Sequence, residues 1–494
     1  MDVLAGFLGV CATYGNFMVI NRSGSMFNYK HLAVAIASIS AVGVADAAGL
    51  DRSGQDITAF LQDGTYGEVV YTYIDADVSG KDISDNSISD IAEAYDFGRF
   101  GVKADINDTF SVGVLYDEPW GAAVQYGGSN NFVSQGADAT VNALTGGLAP
   151  NVATAQARFA QAQAGIAQLQ NAIAQTAAAG GDTTALQAQL ASTVTTARNL
   201  GSALNVASTA EEQKDEGTNV EIRTQNATLL LGAKLGENKN FQIYGGPQMQ
   251  RLTGEVHLRG TAYGGMGGYD ANIGADMGYG WVAGVAYHKP EIALKAALTY
   301  RSEIDHERSI AEFVPATGYA GSRDFKVTLP ESWNLDFQTG INPTTLLTAK
   351  VRYVPWSDFN ITPPQYSDTI KGSNPALYPN GLPIVRYAKD QWSAEVGLGK
   401  KVSDKLAVSG SVGYDSGAGN PVSTLGPIKG YYSLGLGAKY NVTPEWSVSL
   451  GGKYFKFGDA TAQIPTQVGT DASVARFEDN DGYAVGLKLA YQKK

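Results

Sequence analysis

From about Glu68 to the last residues the chain repeats one pattern: ten or so residues alternating apolar and polar, then a turn. The clearest copies are Trp281-Val-Ala-Gly-Val-Ala-Tyr287, Trp392-Ser-Ala-Glu-Val-Gly-Leu398 and Trp446-Ser-Val-Ser-Leu-Gly-Gly-Lys-Tyr454. Successive side chains of a strand point to opposite faces, so each copy has one greasy face and one wet face. The wet face is mostly Gly, Ser, Thr, Gln and Lys, and aromatics bracket the greasy bands. A transmembrane antiparallel β-barrel needs this arrangement: lipid outside, water or cargo inside, aromatic girdles at both interfaces. A soluble all-β protein is the alternative, and continuous polarity on one face of the strands argues against it.

Only 17% of the 494 residues are charged, and 59 are Gly and 26 Tyr. Soluble domains average about 25% charged residues, so charge is depleted here without long apolar helices to account for it. The net charge of −12 excludes a nucleic-acid partner, which calls for a basic face. It suits an outer surface in contact with lipopolysaccharide.

Met26-Phe-Asn-Tyr-Lys30-His31 is a short basic lead, Leu32 to Val44 is uncharged and apolar or small, and Ala45-Asp-Ala47 is a small-x-small cleavage signal. This reads as a secretory signal peptide, too short to span a membrane as a helix. Residues 1–47 are therefore expected to be leader, with Met26 the better start and Ala48 the mature N-terminus. The only cysteine, Cys11, lies in that part, which leaves no disulfide framework.

Tight polar turns at Asp105–Asp108, Gly236–Lys239, His288–Glu291, Asn342–Thr344, Ser403–Lys405 and Asn441–Glu445 alternate with long loops. Outer-membrane barrels show short periplasmic turns, long outer loops and an even number of strands. Fourteen strands are predicted, at 68–78, 96–104, 109–124, 218–235, 241–258, 277–288, 291–304, 325–341, 345–361, 390–402, 405–416, 429–441, 445–457 and 481–492. Residues 68–494 thus form the barrel, and 48–67 form a short N-terminal plug segment. Between strands three and four, residues 150–213 are Ala- and Gln-rich, with Phe159, Ile166 and Ile173 seven apart and Leu190 in a second periodic run beyond Gly180-Gly181. This predicts an extracellular helical hairpin. Its seam either zips the two helices together or also offers an apolar ligand a groove.

Alternation assigns faces. In strand seven Ile292, Leu294, Leu298 and Tyr300 face lipid, which turns Lys295, Thr299, Arg301 and Glu303 inward. Strand eight turns Asn334 and Asp336 inward, and strand nine Lys350 and Arg352. A cation facing lipid costs about 2–4 kcal/mol at mid-bilayer. Lys295, Arg301, Lys350 and Arg352 should therefore share a sector of the lumen. There they either anchor a carboxylate ligand by charge-assisted hydrogen bonds or pair with Glu303 and Asp336 as lumen filling. The remaining histidines, His257, His288 and His306, have neither triad nor metal-ligand spacing around them. No catalytic residues, metal or cofactor are expected, so the chain is not read as an enzyme.

The motifs Phe110-Ser-Val-Gly-Val-Leu-Tyr-Asp-Glu-Pro119-Trp-Gly121, Tyr244-Gly-Gly246, Leu298-Thr-Tyr-Arg-Ser302, Leu329-Pro-Glu-Ser-Trp333 and Val354-Pro-Trp-Ser-Asp-Phe359 run through the predicted barrel in order. In that order they resemble the FadL-like family of outer-membrane transporters for long-chain fatty acids and other hydrophobic compounds. The resemblance implies a fourteen-stranded barrel closed by an N-terminal hatch, with cargo leaving sideways at a kink in the third strand. Pro119 and Gly121 are the matching kink residues, since each can interrupt a ladder. The chain departs from the family in its short hatch and in ending Ala490-Tyr-Gln-Lys-Lys494, with Tyr491 in place of a terminal aromatic.

The expectation is a passive, multi-pass transporter of the bacterial outer membrane for hydrophobic small molecules, long-chain fatty acids foremost, with a monomer favoured. A general porin for polar solutes and a surface adhesin or structural barrel satisfy the same barrel physics. The motifs and the lumen favour the transporter.

Overall fold

The computed structural model describes residues 50–493. The predicted leader and the start at Ala48 lie outside them. Strands β1 (Thr65–Asp77), β2 (Tyr95–Asp105), β3 (Phe110–Asp117 and Gly121–Gln125), β4 (Asn219–Leu235), β5 (Phe241–His257), β6 (Asp270–Lys289) and β7 (Leu294–Arg301 and Ile304–Val314) form the first half of the wall. The second half is β8 (Tyr319–Leu329 and Ser332–Asn342), β9 (Thr345–Val354), β10 (Gln391–Lys401), β11 (Leu406–Asp415), β12 (Lys429–Asn441), β13 (Trp446–Gly458) and β14 (Asp481–Lys493). Each strand pairs antiparallel with its neighbours, and β1 pairs with β14 from Thr65↔Lys493 to Asp77↔Asp481, which closes the barrel. Closure leaves the barrel no edge strand, and it satisfies the ladders inside lipid except at a short interruption of β3.

The two faces differ chemically as the alternation requires. Leu231, Leu434, Leu436, Leu450 and Leu487 stand exposed on the outside, while Thr72, Ser111, Thr228, Thr299, Ser332, Ser449 and Lys488 are buried within. Aromatics form a belt near the long-loop end: Trp281 on Tyr300 (ring centroids 5.0 Å apart), Tyr300 on Trp333 (4.7 Å), Tyr353 on Trp392 (4.5 Å), Tyr414 on Tyr432 (5.3 Å) and Tyr73 on Tyr483 (6.4 Å). A second belt marks the short-turn end, with Phe241 on Tyr287 at 4.9 Å and Trp446 on Tyr491 at 5.1 Å. Tyr491 thus joins the girdle despite the residues after it. Trp446 and Tyr454 mark the two belts on β13, and the eight residue steps from one to the other span about 26 Å along the strand at ~3.3 Å each. With the usual barrel tilt this suits an apolar band of about 25 Å.

Four strand ends differ from the sequence reading. β6 begins at Asp270, β7 runs on to Val314 and β8 starts at Tyr319, so these three rise well past the outer belt. Above the lipid their outer face carries Asp305, Glu307, Asp324 and Lys326, and the apolar half of the alternation vanishes there. β9 stops at Val354 because Pro355 has no N–H to continue the ladder. Glu303 is also corrected: β7 breaks at Ser302–Glu303, which reverses the phase and leaves Glu303 exposed rather than facing the lumen. Ser302 occupies that break, accepting a hydrogen bond at Oγ from the Trp281 N–H (3.0 Å).

The outer loops build a dome. α1 (Ala137–Leu144), α2 (Val152–Ala178) and α3 (Thr184–Glu212) follow β3, and α4 (Pro364–Ser373) follows β9. α2 and α3 pack as the predicted hairpin on the long-loop side. Phe159, Ile166, Ile173 and Leu190 are each half-buried, and a Cβ on Gly201 of α3 would come within 3.3 Å of the Phe159 ring. The base of α3 is anchored by buried Ala203, Val206, Ala207 and Ala210.

Candidate functional site

Leu50 to Gly64 run inside the barrel as a plug. Its first residues dock on the interrupted third strand. β3 loses its ladder at Glu118–Trp120, because Pro119 has no N–H to donate. The plug replaces part of what is lost: the Arg52 N–H donates to the Pro119 carbonyl (2.8 Å), the Gly121 N–H donates to the Leu50 carbonyl (2.7 Å), and Asp51 bridges Trp120 antiparallel. Ser53 Oγ donates to the Asp117 carboxylate at 2.8 Å.

Three of the four predicted lumen cations meet the plug. Arg352 Nε donates to Asp51 at 2.6 Å and its Nη2 donates to the second carboxylate oxygen at 3.2 Å. Lys350 Nζ lies 3.1 Å from Asp56 and 3.8 Å from Asp336. Lys295 Nζ donates to the Leu61 carbonyl. Gln55 and Gly54 accept from Ser332 Oγ (2.6 Å) and Asn334 Nδ2 (2.7 Å). Arg99 of β2 completes the set, 3.2 Å from Asp56 and 3.4 Å from Glu68. Asp51, Asp56 and Arg99 were not singled out from the sequence; inward phase on β2 was the available signal for Arg99.

Arg301 is the fourth cation and behaves differently. It is 3% exposed, yet its Nε and Nη1 have no hydrogen-bond partner among the described residues. It borders a small cavity lined also by Arg99, Leu115, Thr228 and three carboxylates, Asp56, Glu68 and Asp117. A buried guanidinium left partly unsatisfied is costly, and this cavity of about 10 Å³ has room for roughly one water beside it.

Glycines make room for the plug. A Cβ at Gly113 would lie 2.7 Å from the Phe60 ring, and one at Gly232 would lie 3.0 Å from it. Phe60 is fully buried there, 5.8 Å centroid to centroid from Tyr244 of the Tyr244-Gly-Gly246 motif.

Above the plug, the outer lumen and its dome enclose a continuous apolar core. Trp120 of one motif meets Trp356 of another edge-on at 5.3 Å, and Arg352 lies over the Trp120 ring at 5.3 Å. Trp356 Nε1 donates to Gln391 at 2.6 Å, and Phe359 and Tyr387 pack on its ring at 5.2 and 5.1 Å. Tyr263, in a loop of the dome, donates to Thr424 at 3.3 Å, and burial pushes its hydroxyl up to about 12, so it stays neutral. Motifs more than two hundred residues apart in sequence therefore converge where apolar lining meets the charged plug. On the short-turn side a separate bowl of about 560 Å³ lies beneath Leu61–Gly64, lined by Asp105, Lys234, His288 and Lys295 among others.

A fourteen-stranded, aromatic-belted barrel whose lumen is closed by its own N-terminal segment and roofed by an apolar dome defines the class: a plugged outer-membrane β-barrel. The sequence profile of the outer membrane protein transport protein family (OMPP1/FadL/TodX) matches residues 158–492, and the chain belongs to that family. It is an outer-membrane protein, and the family carries hydrophobic compounds across that membrane as passive channels. Outer membrane protein P1 of Haemophilus influenzae is 27% identical over 189 residues, a match covering 37% of this chain and 39% of that protein. Among solved structures, a Pseudomonas aeruginosa FadL homologue aligns with a TM-score of 0.55 at 14% identity, over 87% of this chain and 90% of that one. The Pseudomonas putida toluene transporter TodX aligns with a TM-score of 0.52 at 11% identity, over 95% and 99%. These two structures share the fold.

Proposed function

We propose that this barrel takes up long-chain fatty acids from outside the cell. The carrying observation is the order of environments along the lumen. A buried apolar, aromatic-rich cluster at Trp120, Trp356 and Phe359, with Tyr387 packed on it, meets the charged plug at Arg352, and the guanidinium of Arg301 in the same lumen is buried and incompletely partnered. An alkyl chain gains about 25 cal/mol per Å² of apolar surface removed from water, and a carboxylate gains a charge-assisted pair with Arg301. Lys295, Lys350 and Arg352 serve the same cargo indirectly, by holding the plug until it moves. The exit is sideways at Pro119–Gly121, where the wall has already lost its ladder.

Calorimetric titration of the purified protein with a fatty acid and with its matched alkane tests the reading. Arg301→Gln should weaken fatty-acid binding at least about tenfold, since such a bond contributes about 1.5–3 kcal/mol, and leave the alkane nearly unchanged. Equal fatty-acid affinity before and after the substitution would remove Arg301 from the cargo site. An aromatic hydrocarbon is the competing cargo, favoured by the indole and phenol lining. Tighter binding of toluene than of the fatty acid would select it.

A further inference from the structure

The wall is open between β2 and β3 over a short stretch. β2 pairs with β3 only from Phe100↔Tyr116 to Asp105↔Ser111. Beyond that, Tyr95 to Arg99 pair only with β1, and Gly121 to Gln125 pair only with β4. Contact between the two sides resumes at the Ala92↔Val124 bridge, where the Gln125 N–H donates to the Ile91 carbonyl at 2.9 Å. A gap bounded at both ends by ladder hydrogen bonds thus sits just above the stacked Phe100–Tyr116 pair (5.0 Å).

Two side chains occupy it: the Glu118 carboxylate, which accepts a hydrogen bond from the Gly98 N–H, and Tyr95. Tyr95 is 2% exposed, and a Cβ on Gly121 across the gap would lie 2.9 Å from its hydroxyl oxygen. That hydroxyl has no hydrogen-bond partner among the described residues, so the ring is held by packing, with Phe97 6.0 Å away and Ile74, Tyr431 and Phe455 in the same buried cluster, and by cations on the ring. Arg52 of the plug lies 4.9 Å from the ring centroid and Arg223 of β4 lies 5.1 Å from it. Arg223 is on the outer surface, its side chain 44% exposed and paired with Glu221 at 3.1 Å. Arg52 comes from inside and is tied to the kink through its backbone bond to Pro119. Tyr95 therefore packs on the lumen side of the wall at the gap, contacted by an inner cation and an outer one, and the inner cation belongs to the segment that must move.

We infer that Tyr95 is the leaf that closes a side opening between β2 and β3, and that the plug latches it through Arg52. A cation held against an aromatic face contributes about 0.5–2 kcal/mol, more when desolvated, a contact that can break and re-form in each cycle. The hydroxyl adds no bond to break when the ring swings, so what must loosen besides the cation contact is its packing with Phe97 and the cluster of Ile74, Tyr431 and Phe455. When the plug shifts, Arg52 leaves the ring, and an alkyl chain can pass between Tyr95 and Gly121 into the outer leaflet. This inference rests on the sideways exit proposed above.

The experiment reconstitutes the full protein in vesicles. It measures transfer of a fluorescent fatty acid and of an uncharged hydrophobic dye into the bilayer, alongside ion conductance and equilibrium binding. Tyr95→Ala and Arg52→Ala should each raise transfer of both probes several-fold. Tyr95→Phe should match the parent, because the hydroxyl makes no bond. Tyr95→Ala should leave conductance unchanged, because the plug still closes the lumen. Variants are compared only where heat-modifiable migration shows a folded barrel, and Tyr95→Leu replaces Tyr95→Ala where it does not. Fatty-acid binding at parental affinity with transfer unchanged or lowered in Tyr95→Ala would overturn the leaf. If the fatty acid fails to bind while dye transfer still responds to Tyr95→Ala, the cargo assignment falls and the leaf stands.

Discussion

The plug is held by two buried carboxylates, and neutralising both should open the lumen. Asp51 is fully buried against Arg352, and Asp56 bridges Arg99 and Lys350 at 3.2 and 3.1 Å. In the double variant Asp51→Asn with Asp56→Asn, three lumen cations lose their closest opposite charges. Arg99 keeps Glu68 at 3.4 Å and Lys350 keeps Asp336 at 3.8 Å, so they remain partly compensated. Removing one member of a buried pair costs about 3–5 kcal/mol. The amides keep some hydrogen bonding, so the low end applies, and two sites give about 6 kcal/mol if they act independently. At about 1.4 kcal/mol per factor of ten, the docking equilibrium shifts by roughly 10⁴. The barrel itself should survive, since its ladders do not pass through these residues. Planar-bilayer recording should show a rise from near-silent to frequently open, and limited proteolysis should cut between residues 50 and 64 without fragmenting the wall. Parental conductance together with parental protection of that segment would refute the view that these ion pairs hold the plug.

Phe60→Ala empties the space that Gly113 and Gly232 leave for the ring and should destabilise plug docking by about 3–5 kcal/mol; conductance rising as in the double carboxylate variant, but with less dependence on salt, checks it. Replacing residues 160–199 of the hairpin by a short Gly-Ser link should leave a folded, heat-modifiable barrel, because α2 and α3 lie outside the strand ladders. Uptake that then falls mainly at low cargo concentration would show that the hairpin seam also serves cargo, and unchanged uptake would confine Phe159, Ile166, Ile173 and Leu190 to zipping the two helices. Leu436→Arg, on the most exposed part of β12, should cost about 2–4 kcal/mol. The same change at Ser411, on the lumen face of β11, should cost less; equal losses in chemical unfolding from lipid vesicles would refute the face assignment.

The barrel was legible in the chain because its determinants are local. Each strand carries its own alternation and its own bracketing aromatics, and each short turn announces itself within three or four residues. The lipid-facing side had to be apolar, so alternation also placed Lys295, Arg301, Lys350 and Arg352 inside before any partner was known. Where lipid ends, that constraint ends too, which is why β6, β7 and β8 run further than the pattern showed and why Glu303 turned outward at a break. What the cations do was decided only by the tertiary structure. Asp51 reaches Arg352 across 301 residues and Asp56 reaches Lys350 across 294, and nothing near either carboxylate in sequence announces that partner. Trp120 and Trp356 meet on the same terms. Alternation says which way a side chain points; only closure of the barrel around its own N-terminal segment says what it meets there.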